Sequence, residues 1–82
     1  MSWRAAMPGD RYAIVLHGEA GLLPYSVARV VVAGVQSFEA WRRHVAPRGG
    51  FWGGDLLGRY AEASAARRRC VDDLEAGGGA IT

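Results

Sequence analysis

The chain has 82 residues, half of them apolar, and a net charge of +2. That places it with small globular proteins, near the lower size limit for a core unaided by disulfides, metal or a second chain. The lone Cys70 and two histidines exclude an internal disulfide and a Cys/His zinc site, the absence of lysine excludes a Walker-type phosphate loop, and the longest apolar run, residues 30–35, is too short to span a bilayer.

All ten basic residues are arginine. With no lysine or asparagine and abundant Ala and Gly, this is the usage a GC-rich genome imposes, which weakens any reading of the arginines as selected for phosphate. The charge is uneven, since residues 42–69 carry seven arginines against two acids and residues 70–82 carry three acids and no base.

Residues 1–10 lack the apolar core of a signal peptide and read as a flexible N-terminus. Residues 11–17 alternate Tyr12, Ile14 and Leu16 with Ala13, Val15 and His17, the pattern of a strand buried on both faces. A connection with Gly18, Gly21 and Pro24 leads to residues 26–33, where four valines favour a second, antiparallel strand. Residues 25–35 also admit a helix, because Val27, Val31, Val35, Phe38, Trp41 and Val45 fall near one helical face. That alternative is all-α and helix-turn-helix-like, with Gly34 in the turn and residues 38–45 as the recognition helix. Valine density and Gly34 favour the strand.

Ser37 reads as the cap of a short helix over residues 38–45, ending before Pro47. Phe51 and Trp52 then sit between the pairs Gly49–Gly50 and Gly53–Gly54, outside any predicted element. Asp55 reads as the cap of a longer helix to about residue 76, with Gly77 as its stop and residues 77–82 as a Gly-rich tail. One face of that helix would carry Leu56, Tyr60, Ala63, Cys70, Val71 and Leu74, with Arg67 in its middle. Arg59 with Glu62, Arg68 with Asp72 and Arg69 with Asp73 stand at ion-pairing distance along it. The expected fold is α+β, a small single domain over residues 1–82 of order ββαα, with a hairpin packed by two helices.

No catalytic set emerges. Ser37 reads as a cap and Cys70 as a core residue, while His17 and His44 lack partners in a triad pattern. Asp72 and Asp73 diverge by about 100° on a helix, too far to converge on one ligand. Neither enzyme activity nor a cofactor nor a metal is expected. What remains is a surface rich in Trp, Tyr and Arg, the residues that dominate binding hot spots.

The candidate partner-binding residues are Phe51, Trp52, Arg42, Arg43, Arg48 and Arg67. Arg67 either pairs with an acid such as Glu19, buries only its stem, or meets a partner. The expectation is a cytoplasmic, non-enzymatic protein that binds another protein, with no membrane role. Small antagonists of host machinery carried by phages and mobile elements, anti-CRISPR-type inhibitors included, fit that description. The alternatives are a DNA-binding transcriptional regulator and an accessory subunit of a larger enzyme. A two-stranded sheet alone is marginal in water, so a homo-oligomer is also expected.

Overall fold

The computed structural model describes residues 2–5, 14–18 and 21–77. They form β1 (Ser2–Ala5), β2 (Ile14–Gly18), β3 (Gly21–Val32), β4 (Val35–Val45), β5 (Phe51–Tyr60) and the helix α1 (Ala63–Glu75). Each strand pairs antiparallel with the next, giving one five-stranded sheet in the order β1-β2-β3-β4-β5. The helix lies across β3, β4 and β5. No helix among the described residues is long and apolar enough to cross a membrane.

The longest hairpin, β3–β4, closes through the two-residue turn Ala33–Gly34 between the paired Val32 and Val35. Both turn residues have positive φ, 51° and 78°, the geometry of a primed turn whose twist matches that of the flanking strands. Glycine adopts this conformation freely, but Ala33 does so at a steric cost.

The core lies between α1 and one face of the sheet. Leu16, Tyr25, Val27 and Ala40 from the strands and Ala66 and Cys70 from the helix form its buried centre. Trp3, Ile14, Leu23, Phe38, Leu57, Tyr60 and Leu74 surround it. Small residues set the helix close to the sheet. Ala40 and Gly58 stand opposite each other on the ladder, and the Cys70 Sγ comes within 3.8 Å of the Ser26 carbonyl oxygen, to which it donates. Burial pushes the Cys70 thiol up to about 12, so it behaves as a small apolar residue. The helix ends as expected at Gly77, where a φ of 87° lets its N–H reach the Leu74 carbonyl.

The α+β class and the antiparallel pairing of the first two predicted strands stand, although residues 11–13 lie outside the described part of the chain. Residues 25–32 and Val35 are extended, as the valines indicated, with Ala33–Gly34 forming the turn between them. The ββαα order does not stand. The predicted helix over residues 38–45 is strand β4, with Ser37 paired to Val30 in the ladder rather than capping anything. The longer helix begins at Ala63, and residues 55–60 belong to β5. The helix-turn-helix alternative falls with the strand assignment of residues 38–45. Ser2–Ala5 of the N-terminal stretch is strand β1, and residues 78–82 of the tail lie outside the described residues.

The physical reason is shared. Phe38, Trp41 and Val45 have helical spacing, and along β4 residues of either parity are partly buried, so the two-residue alternation of a strand does not show. In β5 the register shifts at two places against β4, and bulges of this kind break the two-residue alternation that would have marked a strand.

Candidate functional site

The β4–β5 connection is a closed turn rather than a loose loop. The Gly49 N–H donates to the Ala46 carbonyl and the Ala46 N–H to the Gly50 carbonyl, each at 3.0 Å. Pro47 presets the first corner residue, and Gly49 and Gly50, with φ of 88° and 78°, carry the chain back into β5. Arg48 is exposed at the apex.

Immediately beyond the turn, Val45 pairs with Phe51 and His44 with Trp52. Successive strand residues point to opposite faces, so the hairpin end shows Val45 and Phe51 on one side and His44 and Trp52 on the other. The His44 and Trp52 rings lie 4.7 Å apart between centroids, tilted by 43°. Trp52 keeps 60% of its surface exposed and Val45 keeps 48%. A tryptophan propped by an imidazole yet open to solvent is an apolar platform, close in the chain to the exposed turn that carries Arg48.

Behind this platform the backbone is tightly held. Gly53 and Gly54 have φ of 50° and 144°, and a Cβ on Gly54 would sit 2.7 Å from the Arg42 carbonyl oxygen, so only glycine fits that crossing. The Arg43 Nε donates to the Gly53 carbonyl at 2.5 Å. Arg43 is thus a buried brace for the bulge rather than a surface cation.

Arg42 points toward α1. Its guanidinium donates to both carboxylate oxygens of Asp73 at 3.2 and 3.3 Å and reaches Asp55 at 3.5 Å. The Tyr25 hydroxyl donates to the same Asp73 at 2.6 Å. The nearby Asp73 charge raises the Arg42 pKa. Burial and the bond to Asp73 raise that of Tyr25. This network ties α1 to β3, β4 and β5 and leaves Arg42 little to offer a partner.

Of the six candidate residues, the structure brings Arg48, Phe51 and Trp52 together at the β4–β5 end, assigns Arg42 and Arg43 to internal bonds, and places Arg67 on α1. The buried row of the helix is Ala66 and Cys70, which rotates Arg67 from the centre of the apolar face to its half-buried shoulder. Among the described residues it makes no ion pair, and Glu19 lies outside them. The pairs Arg68–Asp72 and Arg69–Asp73 form at 3.4 and 3.9 Å. Arg59 instead bonds Glu39, directly opposite on the ladder, at 2.6 Å.

His44 and Val45 are members of the site that sequence reasoning passed over. The signal was the run Pro47-Arg48-Gly49-Gly50, a hairpin turn that obliges the residues before it to face those after it. Among the described residues, no group of three or more His, Cys, Asp or Glu side chains could hold a metal ion. Comparison of the chain with known protein families, with curated proteins and with solved structures finds no match.

Proposed function

We propose that the chain is a non-enzymatic binding protein whose β4–β5 end seats a protein partner. The observation that carries this reading is the exposure of Trp52 just beyond a hydrogen-bonded turn, its ring set against that of His44. An aromatic anchor already held in place loses little freedom on binding, and Trp and Arg are the residues that most often dominate protein interfaces.

Small size and the lack of a recognisable catalytic set fit an antagonist of host machinery carried by a phage or mobile element, of which anti-CRISPR-type inhibitors are one kind. An accessory role in a larger enzyme is the same reading with a resident partner. Single-stranded nucleic acid would also use a ring beside a cation. The engagement of Arg42 with Asp73 and of Arg43 with Gly53 leaves fewer cations near the ring for a phosphate backbone.

Affinity capture from host cells with wild-type and Trp52→Ala baits, each treated with nuclease, tests the proposal. A protein retained by the wild type and lost with Trp52→Ala is expected, with binding weakened by about 2 kcal/mol or more and folding stability nearly unchanged. Equal capture by both baits, or capture abolished by nuclease, overturns it.

A further inference from the structure

His44 is the titratable group of the Trp52 platform. Its ring lies 4.7 Å from the indole between centroids, and its Cδ2 is 3.4 Å from where a Cβ on Gly53 would stand, so the imidazole is set against both the indole and the bulge. Among the described residues no hydrogen bond or ion pair engages it. Its ring nitrogens are free to gain or lose a proton, and histidine is the side chain whose charge ordinarily changes between about pH 5 and 8.

The charged groups around His44 are already matched. On β4, Arg42 shares its face and Arg43 lies on the opposite one. Arg42 is answered by Asp73 of α1 and Asp55 of β5, and Tyr25 of β3 donates to the same Asp73. Arg43 is bonded to the Gly53 carbonyl. Asp72 and Glu75 lie on the exposed side of α1, away from the sheet. Residues 42–54 contribute three arginines and no acid. A charge gained by His44 therefore finds no uncommitted carboxylate on the described part of this chain. The indole accommodates it, since a cation within about 6 Å of the ring centroid is attracted to the aromatic face.

We propose that His44 is a pH-dependent recognition group: once protonated, it makes the Trp52 platform cationic and selects a partner segment that brings carboxylates. This rests on the platform being the binding surface. The counter-charge that the chain does not supply is what such a segment offers, through charge-assisted hydrogen bonds from the imidazolium N–H groups. Above the histidine range the same surface is uncharged and holds an acidic segment less well.

NMR of the isotopically labelled chain tests the coupling without any captured partner. Between about pH 5 and 8 the Trp52 indole N–H signal should shift in the wild type. It should stay still in His44→Phe, which keeps an aromatic ring but takes no proton. Capped hexaglutamate, followed through the same signal, should bind about fivefold more tightly at about pH 5.5 than at about pH 7.5. That preference should vanish in both His44→Phe and His44→Gln. A Trp52 signal that ignores pH, a pH response that persists without His44, or hexaglutamate held equally or better at the higher pH overturns the proposal. These readouts can fail while capture through Trp52 succeeds, and can succeed while it fails, so the two readings are judged separately.

Discussion

The two ends of β4 expose apolar surface by different means. At the Ala33–Gly34 end the backbone is regular, the turn is two residues long and the exposed groups are valines in a neutral run. At the other end the backbone is bulged, pinned by Arg43 and closed by two turn bonds, and the exposed groups are an indole and an arginine, with a half-buried imidazole against the indole. Valines on a regular ladder offer shape and main-chain groups but no chemical address. An aromatic pair offers direction and composition, which is what discrimination among partners requires.

The comparison breaks most completely if the anchor beneath both ends is removed. Asp73→Ala leaves the Tyr25 hydroxyl and the Arg42 guanidinium without their shared acceptor, and should lower stability by about 3 kcal/mol in chemical denaturation. If the loss is below about 1 kcal/mol, α1 is held by packing alone.

Gly54→Ala acts on the bulged end alone. The new Cβ would meet the Arg42 carbonyl oxygen at 2.7 Å, at a φ of 144°. We expect a loss of about 2 kcal/mol and a disturbed Trp52 fluorescence spectrum. The same substitution at Gly34, where a Cβ meets nothing within 4 Å, disturbs only the turn conformation.

Alkali loosens the junction between the two ends. Tyr25 and Cys70 both have pKa values raised by burial in the folded state, so above about pH 9 the unfolded chain loses these protons first. Stability is therefore intact at neutral pH and falls as pH rises, by at most about 1.4 kcal/mol per pH unit for each group. Urea midpoints measured from pH 7 to 11 check the sign, and a midpoint that rises with pH contradicts it.

The smallest effect sharpens the regular end. Ala33 holds a φ of 51° that asparagine tolerates better. Ala33→Asn should gain about 0.5 to 1 kcal/mol in thermal unfolding and leave partner capture through Trp52 unchanged.

The parts of this architecture that showed in the sequence are those where one local preference acts alone. The valines of residues 30–32 and the alternation around Ile14 indicated strands, and Gly77 indicated the end of the helix. Where two preferences compete, the sequence misleads. Asp55 resembles a helix cap, but in β5 it stands opposite Arg42. Gly58, an unfavourable residue inside any helix, was the sign that residues 55–60 are extended, and its place is explained by the Tyr60 ring that lies over it. Of the site, Phe51 and Trp52 were visible from their glycine frame. The internal duties of Arg42 and Arg43 were not, because they depend on Asp73 and on the Gly53 carbonyl, which only the folded ladder and helix bring near.

Because every strand pairs with its sequence neighbour and α1 follows last, the sheet can assemble in the order of synthesis, each hairpin closing as its second strand leaves the ribosome. Short sequence separations of this kind favour rapid folding. Until the helix emerges, however, Tyr25, Val27 and Ala40 have no cover, and the nascent sheet is sticky on that face. Ala66 and Cys70 therefore close this core in time as well as in space, ending the interval in which a chaperone would find that face to hold.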